Sequence, residues 1–182
     1  MFAGPNGSGK SSIIEQVKKL VNFGYYINAD ELQYELNNRG YIACDQLIPF
    51  SPTQDDWKEF TKNLGNDIRV KSDSINQVYF DNGIIKAHTN IDGYVASILS
   101  EFLRIMLLEG GYSFSFETVM SHPSKIEFIQ QAASLGYKTY LYFICTNDQL
   151  INRKRVENRV IHGGHDVSEE KITSRYFKSL DL

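Results

Sequence analysis

The residues best suited to chemistry lie at the start of the chain, where three glycines, a lysine and a serine follow the spacing GxxxxGK[ST]. We call residues 4–11 the glycine loop. Glycine permits positive φ, so the amide groups of such a loop can turn inward around an anion at the positive end of the following helix. Lys10 is expected to reach the β- and γ-phosphate oxygens of ATP, and the Ser11 hydroxyl is expected to ligate Mg²⁺.

The glycine loop as a whole predicts a site for ATP and Mg²⁺. The chain contains no Asn-Lys-x-Asp motif of the kind that binds guanine, which favours ATP over GTP. The residues predicted to hold the nucleotide are Gly4, Asn6, Gly7, Ser8, Gly9, Lys10, Ser11 and Ser12.

A second candidate for chemistry is Asp30, which follows the aromatic and β-branched segment 25–27 at a point where a strand is predicted to pass into a helix. Its carboxylate is suited to bind an acceptor and to take the proton of the acceptor's hydroxyl, a role worth about 10²–10⁴ in rate. The alternative is a helix N-cap, a position at which aspartate is favoured.

Two further candidates, Glu117 and Thr118, follow the alternating segment 112–116, which is typical of a strand. Glu117 can orient the waters of Mg²⁺ or bind the hydroxyls of the acceptor, and Thr118 can contact the acceptor. The alternatives are a solvated strand end for Glu117 and a capping or turn role for Thr118.

A basic segment follows on the last predicted helices. Arg155 and Arg159 are four residues apart, so they share one helix face and can offset the charge on a phosphoryl group in transfer. The alternative is a solvated basic face paired with Glu157. Because Gly163-Gly164 separates two predicted helices and suits a hinge, we predict a mobile lid over about residues 153–175.

These residues must be positioned by strands that alternate with helices along the chain. The alternation predicts an α/β fold with a doubly wound, mainly parallel sheet of the P-loop NTPase or kinase type, with helices on both faces. A very short strand precedes the glycine loop, and the helical spacing after the loop continues towards Gly24. Residues 137–145 are nearly all hydrophobic, which is typical of a parallel strand buried on both faces.

We expect one domain over residues 1–182, in which residues 41–90 form an insertion that covers the acceptor site. A helix is predicted within it near Gln54–Leu64, and Asp81-Asn82-Gly83 predicts the turn of a small hairpin. A helix with an apolar face is predicted over about residues 91–109.

Composition excludes several classes of protein. The formal charge of −3 gives no whole-protein positive field that would gather nucleic acid. No apolar run approaches the roughly 20 residues that span a bilayer, and the chain opens directly on the glycine loop, so we expect a cytoplasmic protein without a signal peptide or a membrane partner.

Cys44 and Cys145 form no CxxC motif and are expected to be buried free thiols. The chain stops where one more strand is expected, which predicts a truncated product.

Beyond the glycine loop, three short motifs resemble those of the zeta-toxin-like P-loop kinases: Asn28-Ala29-Asp30-Glu31, Ser115-Phe116-Glu117-Thr118 and Gly163-Gly164-His165-Asp166-Val167. The resemblance extends over most of the chain and implies a fold similar to that of shikimate- and adenylate-type kinases. It implies that Lys10 and Ser11 serve ATP and Mg²⁺, that Asp30 is the catalytic aspartate, and that Glu117 with Thr118 is the acidic pair at the next strand end.

The characterised toxins of that family phosphorylate a sugar hydroxyl of UDP-N-acetylglucosamine. The resemblance therefore implies a hydroxyl-directed kinase with a nucleotide sugar as the first acceptor to test, and it suggests an antitoxin protein as a partner. Two features depart from the toxins, since residues 41–90 contain no motif that names a nucleotide sugar and Gly-Gly-His-Asp-Val is typical of relatives with an unsettled substrate.

Three functions follow as hypotheses. The first is an ATP-dependent kinase that phosphorylates a small-molecule hydroxyl. The second is a nucleoside or nucleotide kinase, which would share the fold and the lid. The third is an ATP-hydrolysing regulatory binding module. Asp30 favours a kinase, because a switch needs a positioned water more than a base for an organic hydroxyl.

Overall fold

The computed structural model describes residues 1–64, 75–164 and 166–182. The part of the insertion over 65–74 and the His165 position of the last motif therefore lie outside the described residues. The chain divides into two compact units. The first unit comprises Met1–Asn22 and Phe116–Leu182, and the second unit comprises Phe23–Ser115.

Strands and helices alternate along the described residues, with short strands throughout. The strands are β1 Phe2–Ala3, β2 Tyr25–Ile27, β3 Tyr41–Ala43, β4 Val78–Asp81, β5 Ile84–Ala87, β6 Phe114–Thr118 and β7 Tyr142–Phe143. The helices are α1 Lys10–Val17, α2 Ala29–Arg39, α3 Gln54–Leu64, α4 Gly93–Glu109, α5 Ser124–Ser134, α6 Gln149–Ile161 and α7 Glu169–Leu180.

The larger sheet has four strands in the order β2-β6-β1-β7. Strand β1 runs parallel to both of its neighbours, with Phe2 beside Glu117 and Tyr142. This arrangement confirms an α/β fold with a parallel sheet. Because the carboxyl ends of parallel strands meet at one edge, Glu117 and Thr118 are brought beside the end of β1, where the glycine loop begins.

The prediction for residues 137–145 was wrong in its burial. Only Tyr142 and Phe143 are in strand conformation, and β7 is an edge strand of the sheet. The side chains of Tyr140 and Leu141 are 64% and 48% exposed, and those of Tyr142 and Phe143 are also exposed. An apolar run predicts a strand, but whether its faces are covered depends on elements distant in sequence.

The helix that follows the glycine loop is shorter than its apolar spacing predicted. Helix α1 ends at Val17, and a turn follows it in which Leu20 is 81% exposed. Ile14 is the apolar side chain that α1 buries. Helix α1 therefore packs against the rest of the first unit mainly through its first turns, next to the glycine loop.

The second unit contains a three-stranded antiparallel sheet in the order β3-β5-β4. Asn82 and Gly83 both have positive φ, at 48° and 82°, and they connect β4 to β5 as the hairpin prediction required. Helix α3 spans Gln54–Leu64 as predicted, and its Trp57 stacks on Phe80 and meets Phe102 edge to face. These rings form an aromatic core for the unit.

Helix α4 begins two residues later than predicted, because Asp92 is its N-cap and accepts from the amides of Tyr94 and Val95. Ile91 lies just before this cap, where its backbone carbonyl accepts from the side-chain amides of Gln33 and Asn37. The Ile91 amide donates in turn to Asn37 Oδ1. These contacts fasten helix α2 within the second unit.

The two cysteines differ in exposure. Cys44 is buried, and desolvation together with the charge of Asp45 raises the pKa of its thiol to about 12, so it stays protonated. Cys145 is exposed, which corrects the expectation that both thiols are buried.

Among the described residues, no helix combines the length and the apolar character that crossing a membrane requires.

Candidate functional site

The glycine loop has a backbone that other residues would not readily adopt. Gly4, Gly7 and Gly9 have φ values of 142°, 77° and 96°. A Cβ on Gly4 would lie 1.9 Å from the Ile144 carbonyl oxygen, and a Cβ on Gly7 would lie 2.4 Å from that of Asn152. The spacing of the glycines is therefore required by close backbone approach as well as by positive φ.

Lys10 is held across this loop. Its side chain is almost fully buried, and Nζ donates to the carbonyl oxygens of Gly4 and Pro5 at 2.8 and 3.1 Å. Nζ also lies 3.8 Å from Glu117 Oε1. The loop carbonyls and the carboxylate thus fix an ammonium group beside the inward turn of the glycine loop.

Ser11 and Glu117 lie side by side, since Ser11 Oγ donates to Glu117 Oε2 at 3.5 Å. A hydroxyl and a carboxylate are hard oxygen ligands of the kind that Mg²⁺ takes, usually one or two from the protein and the rest from phosphates and water. A donor set of one hydroxyl and one carboxylate fits Mg²⁺ that also binds a phosphate. The described residues contain no cluster of three or more His, Cys, Asp or Glu side chains suited to a metal.

The loop also contains a buried hydroxyl that suits an anion. Ser8 Oγ is inaccessible to solvent and makes no hydrogen bond within the described residues. A buried hydroxyl without a partner costs free energy, and a phosphate oxygen in the loop would accept its hydrogen. Together with the preceding features, the Ser8 hydroxyl makes the glycine loop suited to an anion.

Two side chains of helix α6 donate hydrogen bonds to backbone carbonyls of the glycine loop. Asn152 is fully buried, and its Nδ2 donates to the Asn6 carbonyl oxygen at 2.8 Å, while its Oδ1 accepts from the Thr146 hydroxyl. One helical turn later, Arg155 donates to the carbonyl oxygens of Gly7 and Ser8 at 3.4 and 3.2 Å. Sequence reasoning singled out Arg155 for contact with a phosphoryl group, a role that stays a prediction. It missed Asn152, because a polar residue within a helix carries no local signal of burial.

We expect Asn152→Ala to lower the free energy of unfolding by about 2 kcal/mol, because it leaves the Asn6 carbonyl unpaired and opens a space beside the loop. Urea unfolding is the measurement. Asn158→Ala is the matched control, since Asn158 lies on the exposed side of the same helix and its change should stay within about 0.5 kcal/mol. An equal loss of unfolding free energy for the two variants would contradict a stabilising role of the hydrogen bond between Asn152 and the Asn6 carbonyl.

Gly7→Ala should lower the free energy of unfolding more than the same substitution at a glycine whose added Cβ has open space around it. The new Cβ would meet the Asn152 carbonyl in addition to straining φ, so we expect a loss of at least about 3 kcal/mol. Gly136 also has positive φ but has no atom within 4 Å of the added Cβ. Gly136→Ala should therefore cost only about 1 kcal/mol in urea unfolding, and a similar cost at both sites would mean that the close contact is not required.

Thr118 supports the start of the glycine loop through its backbone carbonyl. Its carbonyl oxygen accepts from the Gly4 amide at 3.2 Å, and its hydroxyl accepts from the Met120 amide at 3.3 Å. The latter bond is the turn role that was the alternative for this residue. A contact between Thr118 and an acceptor stays a prediction.

Arg159 lies near the end of α6, where the helix stops at the glycine pair. Gly163 has a φ of 81° and donates to the Val160 carbonyl, while Gly164 donates to the Arg159 carbonyl. This pair of bonds is the Schellman arrangement that ends a helix. The glycine pair therefore has a structural role, and a mobile lid over residues 153–175 with Arg159 on phosphate stays a prediction.

Asp30 lies in the second unit, in the first turn of helix α2. Asn28, and not Asp30, is the N-cap of that helix, since Asn28 Oδ1 accepts from the Asp30 amide at 2.9 Å. The capping alternative for Asp30 was therefore wrong. Within the described residues, the Asp30 carboxylate makes no hydrogen bond or ion pair, and it lines a cavity of about 560 Å³.

No protein-family model matches the chain, and no curated protein or solved structure matches it either.

Proposed function

We propose that this protein is an ATP- and Mg²⁺-dependent phosphotransferase of the P-loop kinase type, and that it transfers the γ-phosphoryl group to a hydroxyl of a small molecule. The observation that carries the proposal is the arrangement around Lys10. A buried ammonium, a serine hydroxyl and a carboxylate converge on a loop whose backbone is shaped for an anion.

The side chains around the glycine loop would have different roles in this reaction. The amides of the glycine loop and Lys10 bind the phosphates, and Ser8 Oγ donates to a phosphate oxygen. Ser11 and Glu117 would hold Mg²⁺, which when bound neutralises the charge of the phosphates. Arg155 keeps the loop in place through its contacts with the carbonyls of Gly7 and Ser8.

Asp30 is proposed as the base that takes the proton of the acceptor's hydroxyl. Its exposed carboxylate is not engaged in capping, and α2 is fastened by Asn37, so the side chain has a defined position within its unit. A carboxylate with these properties is suited to bind a hydroxyl and to accept its proton. The resemblance to the zeta-toxin-like kinases supports the same role and makes a nucleotide sugar the first acceptor to test.

The test combines binding and transfer. Isothermal titration should give saturable binding of ATP in the presence of Mg²⁺, and radiolabelled ATP should pass its label to one member of a panel of UDP sugars, nucleosides and free sugars. Label transfer to a nucleoside would assign a nucleoside kinase instead. Hydrolysis of ATP that no member of the panel accelerates, with no labelled product, would favour the regulatory module and overturn the proposal.

A further inference from the structure

Strand β7 at the edge of the larger sheet has backbone groups that point away from the sheet. The Tyr142 amide donates to the Met1 carbonyl oxygen at 2.9 Å, and the Ile144 amide donates to the Ala3 carbonyl oxygen at 2.8 Å. Because successive residues of an extended chain direct their backbone groups to opposite sides, the N–H and C=O of Phe143 face away from β1. Within the described residues, neither of these groups has a hydrogen-bond partner.

Both faces of this edge are also open to solvent. Side chains alternate along an extended chain, so Leu141 and Phe143 lie on one face and Tyr140 and Tyr142 on the other. All four side chains are exposed, with fractions from 37% to 64%. Strands of parallel sheets are ordinarily covered on both faces, so β7 carries apolar surface that another chain can bury.

The segment around β7 lacks the features that keep most edge strands from pairing with other chains. Natural edge strands are usually protected by charged side chains, by proline or by a bulge. Residues 139–147 contain no charged residue, no proline and no glycine. This edge is therefore suited to pair with a further strand.

The charges that flank the segment indicate which strand fits. Lys138 precedes the uncharged stretch, Asp148 follows it, and each is five residues from Phe143. If two copies pair antiparallel with Phe143 opposite Phe143, Lys138 of each copy is brought near Asp148 of the other. Asp148 Oδ1 accepts from the Leu150 amide, which leaves Oδ2 for the lysine. A parallel pair in register would instead place lysine beside lysine, which is destabilising.

We propose that β7 pairs antiparallel with β7 of a second copy of this chain, about a two-fold axis at Phe143. The two Phe143 residues exchange N–H···O=C bonds across the axis, and Leu141 lies opposite Cys145 of the second copy. The two four-stranded sheets become one continuous sheet, and both β7 edges are used, so association stops at the dimer. This pairing goes beyond the proposed function, because it involves neither the glycine loop nor Asp30.

Sedimentation velocity of the full chain without ATP, over about 1–100 μM, should show a reversible equilibrium between monomer and dimer. Phe143→Lys should weaken the dimer by at least about tenfold, because two ammonium groups would face each other at the axis. Its urea midpoint, measured where the parent is monomeric, should stay near that of the parent, since Phe143 is exposed. A parent that stays monomeric over the whole range, or that grows into larger polymers, would overturn the proposal.

The flanking charges provide a second test. Lys138→Glu should also weaken the dimer, because it brings two carboxylates together at each end of the paired strands. Lys178→Glu is the matched control, since it makes the same change of charge at an exposed lysine of the same unit. An equal change of the dimer dissociation constant in both variants would contradict the antiparallel register.

A disulfide reports the register directly. Directly opposite residues of a hydrogen-bonded antiparallel pair have Cα atoms about 5.5 Å apart, within the range of a disulfide, so L141C should be oxidised to a covalent dimer through Cys145 of the second copy. Neither the parent nor the double variant L141C/C145S should cross-link, because their exposed cysteines lie about 14 Å apart along the paired strands. Cys44 is buried and does not take part. Covalent dimers from all three proteins, or from none of them, would overturn the proposed pairing.

Discussion

Lys10→Ala is expected to weaken the binding of ATP with Mg²⁺ by at least about 100-fold, a loss of about 2.7 kcal/mol. The variant removes the ammonium group that the glycine loop holds through the carbonyls of Gly4 and Pro5. Isothermal titration measures the affinity directly, and label transfer should be lost with it.

Two further variants separate the effect of losing the Lys10 charge from an effect on protein stability. Lys10→Met keeps most of the aliphatic stem, so it should preserve the urea midpoint while still losing ATP affinity. Lys18→Ala is the matched control, because Lys18 follows the same helix at the surface and pairs with Glu15. If Lys10→Met binds ATP with Mg²⁺ as tightly as the parent, the glycine loop is not the nucleotide site.

Asp30→Asn is expected to slow phosphoryl transfer by about 10²–10⁴ while leaving ATP affinity nearly unchanged. Asparagine has almost the same shape as aspartate but cannot take a proton from the acceptor. Asn28 remains as the cap of α2, so the substitution costs only the favourable interaction of one carboxylate with the helix dipole, about 0.3–1 kcal/mol. A fall in kcat at constant nucleotide affinity is the expected signature.

Matched variants make this result specific. Asp55 is also an aspartate in the first turn of a helix, it is highly exposed, and it pairs with Lys58, so Asp55→Asn should leave the rate unchanged. Glu117→Gln should instead alter the dependence on Mg²⁺, because Glu117 lies beside Ser11. If transfer by Asp30→Asn stays within a few-fold of the parent, then the assignment of Asp30 as the base has to be abandoned.

Much of the local structure was predictable because its causes are local. Gly40 ends α2 with a φ of 77°, the pair Asn82-Gly83 connects a hairpin, and the helix over Gln54–Leu64 follows its apolar spacing. A positive φ or an amphipathic period is a property of a few neighbouring residues, so it can be recognised from a short segment.

Part of the candidate site was also predictable, since the GxxxxGK[ST] spacing identifies Lys10 and Ser11 and the end of a predicted strand identifies Glu117. The sequence did not predict that Asn152 is buried against the loop or that Asn28 replaces Asp30 as the cap. Asn28 and Asp30 are both good capping residues two positions apart, and only the backbone of residue 28, in an extended conformation, decides between them.

The sequence by itself determined the loop that can hold an anion, the strand end that supplies a carboxylate, and the alternation of strands with helices. Tertiary structure alone decided that β7 is an exposed edge, that Cys145 is exposed, and that carboxylates and tyrosines from three segments surround one cavity. The physical reason is the range of the interactions. Turn and helix preferences act over a few residues, whereas burial and the potential of a cavity are set by side chains that the fold brings together.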